Sequence, residues 1–132
     1  MFTKMLFPNI AVKDVKKSME FFSQLGFSYN EKFTDENAAC MIINEMACVM
    51  LLKEPFYLSF TNKSLADTSK TSEVMLAIML ESKEQVDETL SKALSLGASE
   101  GRKEDLGFMY SRSFHDLDGH IWEFGWMDEA AV

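Results

Sequence analysis

The sequence predicts an α+β fold made of two βαβββ modules, and three observations predict it. A strand, a helix and three further strands are written twice along the 132 residues. Each helix is opened by a capping residue, Asp14 and then Ser82, and closed by a glycine, Gly26 and then Gly97. The final run, Ile121-Trp122-Glu123-Phe124-Gly125-Trp126, alternates with a period of two. That period is the mark of a strand with two unlike faces.

The elements follow in order. Residues 6–12 read as a strand, with Leu6, Pro8, Ile10 and Val12 on one face and Phe7, Asn9 and Ala11 on the other. Pro8 lacks an N–H and therefore belongs at an edge or a strand start. Behind Asp14, Val15, Met19, Phe22 and Leu25 recur at helical spacing and form the expected buried stripe. Residues 27–33, 38–43 and 47–53 read as a strand meander, separated by Thr34-Asp35-Glu36-Asn37 and Asn44-Glu45. Residues 54–72 carry Pro55 with several Ser and Thr and read as a long loop, either a linker or a lid. The pattern then restarts with a strand over 73–80. Ser82-Lys83-Glu84-Gln85 has the form of a capping box, and Val86, Leu90, Ala93 or Leu94, and Leu96 supply the second helical stripe. Strands around 99–102, at 107–114 and in the final run complete the module. Asp116-Leu117-Asp118-Gly119 gives the turn chemistry of the last hairpin. The expected division is a first module at 1–53, a linker or lid at 54–72 and a second module at 73–132, together one compact domain.

The two halves correspond position by position. Asn9 stands as far before Asp14 as Ala77 does before Ser82, and Met50 and Glu123 follow their stop glycines at nearly equal distances. Modules of this kind leave a half-exposed sheet whose apolar face needs a partner, so the sheets are expected to curve around a groove.

Composition narrows the class. A hydrophobic content of 47% is enough for a sizeable core, and a formal charge of -8 argues against nucleic acid or an anionic membrane as a partner. No apolar run approaches the roughly 18 residues of a membrane span, and the start lacks the pattern of a secretory signal. A cytoplasmic location is the expectation. Cys40 and Cys48 would face each other across a three-residue hairpin loop at 43–45, which makes a disulfide conceivable. Without a secretory signal, two buried thiols are expected instead.

Asn9-Ile10-Ala11-Val12-Lys13-Asp14, leading into Ser18-Met19-Glu20-Phe21-Phe22 and Leu25-Gly26-Phe27, resembles the vicinal oxygen chelate superfamily. The ending Asp116-Leu117-Asp118-Gly119-His120-Ile121-Trp122-Glu123 does so too. That superfamily includes glyoxalases, extradiol dioxygenases, fosfomycin-resistance enzymes and bleomycin-binding proteins. The resemblance implies a glyoxalase-like fold, a homodimer, and a groove whose inner strand faces carry four metal ligands in metal-using members. The matching positions here are Asn9, Met50, Ala77 and Glu123. A carboxamide, a thioether, a methyl group and a carboxylate suit no common divalent ion, so no cofactor is expected, a divalent metal remaining the alternative.

Alternation predicts the groove lining. Phe7, Asn9 and Ala11, then Cys48, Met50 and Leu52, come from the first module, and Met75, Ala77 and Met79, then Ile121, Glu123 and Gly125, from the second. Methionine is polarizable and unbranched, which suits an irregular apolar ligand, although core filling explains any single Met as well. Glu123 has three readings: a general acid or base, a hydrogen-bond anchor for a ligand, or a structural partner of Asn9 or Arg112. His115, Asp116, Asp118 and His120 are metal-ligand residue types, but a hairpin turn accounts for the Asp pair. No phosphate cradle or nucleophile elbow is present. The leading expectation is a glyoxalase-like protein that binds a small, partly apolar molecule. A metal-dependent lyase or dioxygenase using Glu123 with unconventional ligands and an antibiotic-sequestering protein are the alternatives, and if a reaction is catalysed Glu123 is the expected catalytic residue.

Overall fold

A carboxylate at Asp14 and a hydroxyl at Ser82 start the two principal helices, each accepting a hydrogen bond from a backbone N–H three residues on, Lys17 and Gln85. The structure, a computed structural model, describes residues 1–131 and divides into two units, Met1–Leu65 and Ala66–Val132. Each holds one βαβββ module with one four-stranded mixed sheet.

In the first unit the elements are β1 (Asn9–Val12), α1 (Val15–Gln24), β2 (Ser28–Tyr29), β3 (Ala38–Asn44) and β4 (Ala47–Lys53), followed by a short helix α2 (Glu54–Leu58). The sheet order is β1-β4-β3-β2, with β1 parallel to β4. The strand expected over 6–12 is regular only from Asn9. Upstream, Leu6 makes an isolated bridge to Ala47, and the Pro8 carbonyl accepts from Met50 N. Ile10 and Val12 are buried, while Asn9 lies on the opposite, exposed face.

Helix α1 buries Val15, Ser18, Phe21 and Phe22. This corrects the expected stripe: Met19 is only half-buried on its flank, and Leu25 is the C-cap beyond the last turn. The strand expected over 27–33 is also shorter. Asn30 accepts from Lys32 N through its side chain, an Asx turn that diverts the chain into 3₁₀ helix at Glu31–Phe33.

The β3–β4 loop has two residues, because Asn44 pairs with Ala47 and its side chain accepts from Met46 N at 2.8 Å. A register shift between Ile42 and Asn44 then sets Cys40 opposite Met50 and Cys48 opposite Ile42. The two cysteines are therefore diagonal neighbours, and both are buried and free. Burial, with Cys48 alongside, pushes the Cys40 thiol up to about 11. We expect neither thiol to react with Ellman's reagent in the native protein at neutral pH, and both to react at once in concentrated urea. Rapid native labelling would contradict this packing.

In the second unit, β5 (Met75–Met79), α3 (Lys83–Ser95), β6 (Ser99–Asp105), β7 (Met109–His115) and β8 (Ile121–Met127) repeat the plan in the order β5-β8-β7-β6. The equivalence extends to register, with Asn9 beside Met50 in one sheet and Ala77 beside Glu123 in the other. Val86, Leu90 and Ala93 of α3 are fully buried, as are Phe114 and Trp122, with Phe124 nearly so. The Phe114 and Phe124 rings stack with centroids 5.7 Å apart. Each such side chain contributes about 1.5–3 kcal/mol by leaving water, so this apolar layer fixes the sheet on its helix. Trp126 lies on the same side, with Lys83 Nζ 5.3 Å from its ring.

The segment expected as a loop over 54–72 opens with α2, which packs on β1 and β4. Pro55 fits there because the first helical turn has no use for its missing N–H. Further on, Asp67 accepts from Ser69 N and from the N–H groups of Lys70 and Thr71, making a turn that docks on the β7–β8 hairpin. The contact is Thr68 Oγ1 donating to the Asp118 carbonyl. Gly119 has φ of 90°, and a Cβ there would collide with the Thr68 carbonyl, so glycine is needed twice over.

Candidate functional site

The side chains that face away from α3 are set by the pleat of the second sheet. Trp122 and Phe124 point to the helix, so Ile121, Glu123 and Gly125 point to the open face, as alternation predicts. Parallel register puts Met75, Ala77 and Met79 beside these three in turn. Antiparallel register adds His115 beside Ile121, Ser113 beside Glu123 and Ser111 beside Gly125. Beyond them lies β6, whose register shift between Glu100 and Lys103 brings Arg102 N to Ser113 Oγ at 2.8 Å. Gly101 makes that approach possible, since any Cβ there would overlap the Ser113 side chain and carbonyl.

These strands enclose a hollow of about 220 Å³ whose lining includes Met75, Arg102, Glu104, Met109, Ser113 and Glu123. Glu123 is half-buried, and no donor among the described residues reaches its carboxylate. The Ser111 hydroxyl is likewise without a partner. Ser113 Oγ accepts from Arg102 N, which leaves its proton without an acceptor. Arg102 pairs with Glu104 at 3.1 Å, but its side chain is 85% exposed. The hollow thus combines methionine walls with two carboxylates, Glu123 and Glu104, two hydroxyl donors, and a cation that Glu104 already pairs.

Arg112, one of the expected partners of Glu123, points the other way. Its Nη1 lies 3.0 Å from Asp87 of α3 and its Nη2 2.9 Å from Glu100. Burial opposes its charge, yet the two carboxylates outweigh that and hold its pKa above the ordinary value. Tyr110 donates to the same Asp87 oxygen at 2.5 Å, and this bond, with Arg112, lowers the Asp87 pKa. Arg112 therefore ties sheet to helix. Asp116 is also committed, accepting from Asp118 N, His120 N and Trp122 Nε1 at 2.8–3.0 Å. Those three donors leave it little capacity to hold a metal.

In the first module, the corresponding positions are Asn9 and Met50, side by side on β1 and β4. Asn9 donates its amide to the Phe7 carbonyl at 2.7 Å, and Phe7 is exposed. Cys48, expected in the lining, is 5% exposed and belongs to the core, while Met50 is half-buried. Ala77 offers no donor atom beside Glu123, and Met50 only a thioether beside Asn9. Neither pair fits a hard divalent ion. A larger open hollow of about 650 Å³ lies between the start of α1 and residues 34–36. Its lining mixes Lys13, Lys16 and Lys53 with Asp14, Asp35 and Glu36, and Asp14 and Asp35 are occupied with backbone N–H groups, so it presents no convergent chemistry.

Sequence reading found Met75 and Glu123 but missed Ser111, Ser113, Arg102 and Glu104. The alternation Met109-Ser111-Ser113-His115 was available as a signal for the serines. The bulge that turns Arg102 toward them carries no such mark.

The class of the protein follows from this architecture: two βαβββ modules in α+β arrangement, the glyoxalase-like fold. A glyoxalase-related enzyme from Fulvimarina pelagi matches with a TM-score of 0.79 at 15% identity, over 95% of this chain and 88% of that one. Fosfomycin resistance protein FosX from Listeria monocytogenes matches with a TM-score of 0.68 at 18% identity, over 96% and 94%. The hypothetical protein SA1046 from S. aureus is 27% identical, with a TM-score of 0.78 over 94% and 93%. No curated protein matches. Residues 4–44 match the bleomycin resistance protein-like N-terminal family model. More particularly, then, the chain carries the fold seen in a glyoxalase/bleomycin resistance protein/dioxygenase family enzyme, and within its first module residues 4–44 are similar to the bleomycin resistance protein-like N-terminal model. Among the described residues, no helix is long and apolar enough to cross a membrane.

Proposed function

We propose that this protein binds a small, partly apolar molecule on the open face of its second sheet, with Glu123 as the group that fixes it. The observation that carries the reading is the Glu123 carboxylate, half-buried in a hollow and accepting no hydrogen bond among the described residues. A carboxylate in that position is best stabilised by a donor that arrives with the ligand. The methionine walls supply adaptable apolar contact. A library of small metabolites followed by thermal shift tests this. Ligand at 100 times its Kd stabilises by about 2.7 kcal/mol, a shift of several degrees. Hits are expected with the native protein and not with Glu123→Gln; hits indifferent to that substitution overturn the reading.

Binding at this face proceeds in our reading without a divalent metal, because Ala77 and Met50 stand where hard donors are required. Elemental analysis of the purified protein is expected to find no stoichiometric nickel, zinc, iron or manganese. Metal that is present and lost in Glu123→Ala would restore a lyase or dioxygenase assignment. A second reading, sequestration of a cationic antibiotic, is favoured by the match of residues 4–44 and the charge of -8. Protection of cells from drug without chemical change to the drug distinguishes it.

A further inference from the structure

We infer, resting on the reading just given, that the ligand of the second sheet is zwitterionic: an α-amino acid with a small aliphatic side chain. One row of the sheet carries the argument. It runs across four strands from Ala77 through Glu123 and Ser113 to Arg102, fixed by strand register and by the bond from Arg102 N to Ser113 Oγ. At one end of the polar part stands a carboxylate without a donor, at the other a guanidinium, and between them a hydroxyl whose proton has no acceptor. Ser113 is only 8% exposed and borders the hollow, so a ligand seated there is positioned to take that proton in place of water. An ammonium group meets Glu123, and a neighbouring carboxylate meets Ser113 and Arg102.

The dimensions agree. Glu123 and Arg102 lie two strands apart, about 10 Å at the backbone, and both residues border the same hollow, with the exposed Arg102 side chain at its rim. Their reach shortens that gap toward the span of an amino-acid headgroup. Arg102 is available because its bond to Glu104 is an exposed ion pair, which contributes little, and its planar fork takes a carboxylate in two-point fashion. A volume near 220 Å³ equals about seven waters, below the usual drug-sized site, and leaves room for an aliphatic side chain against Met75 and Met109. A simple amine would leave Arg102 and Ser113 unused, and a simple acid would set its charge beside Glu123.

Calorimetric titration with L-leucine, isopentylamine and isocaproate tests this, since the three share one aliphatic body. L-Leucine is expected to bind about tenfold more tightly than either of the others. Arg102→Gln should remove its advantage over the amine, and Glu123→Gln its advantage over the acid, with circular dichroism confirming that both variants fold. Equal binding of L-leucine and isopentylamine, or no binding of any of the three, overturns the inference. The metabolite library decides the underlying reading separately, because a hit of another class that depends on Glu123 leaves that reading standing.

Discussion

Trp122→Ala is expected to remove about 3–5 kcal/mol of stability, a large part of the 5–15 kcal/mol that holds an ordinary domain together. Trp122 is fully buried on the α3-facing side of β8, and truncation leaves a cavity in that layer beside its register partner Phe114, which is fully buried itself. It also removes the indole N–H that Asp116 accepts at 2.8 Å, so a buried carboxylate oxygen loses its donor. Trp122→Phe keeps most of the volume and loses only the donor, and should fall between native protein and Trp122→Ala. Urea denaturation gives the order directly. A Trp122→Ala protein within about 1 kcal/mol of native would mean that this face is not the core.

Asp116→Asn is expected to have the second largest effect, about 1–3 kcal/mol, because the new amide presents N–H where Trp122 Nε1 already donates. Its pH signature is more specific. Burial raises the Asp116 pKa, against the lowering influence of His120 and of the hydrogen bonds it accepts. With the folded value above the unfolded one, the native state holds a proton that the unfolded chain has released. This contribution is complete below the unfolded carboxylate value of about 4 and is lost as pH rises through the folded value. Native protein should therefore lose stability across that window, and Asp116→Asn should show a flatter profile there. Urea midpoints collected from pH 3 upward measure both, and a native profile rising more steeply than that of Asp116→Asn would refute the assignment.

The same residue shows how far sequence carried the reading. Asp-Leu-Asp-Gly was legible as a turn, and Gly119 does adopt positive φ there. That the first Asp of the run would be buried under an indole was not legible, because the indole returns from the next strand. Helix caps at Asp14 and Ser82 were read correctly, each being a contact between residues three apart. The second strand was overextended because the Asn30 side chain competes with the sheet for its own backbone, an option that hydrophobic patterning does not register.

Sequence alone determined the two modules, their order of elements, and the side of the last strand on which Glu123 lies. Those features depend on caps, stop glycines and a period of two, all encoded within a few neighbouring residues. Tertiary structure alone decided who meets Glu123. The pairing of β7 with β8 set Ser113 beside it, the irregularity in β6 brought the Arg102 backbone N–H to Ser113, and Asp87 with Glu100 drew Arg112 to the opposite face. Partners across strands are fixed by register and by bulges, which depend on chains meeting over long separations and leave no periodic trace in either strand by itself.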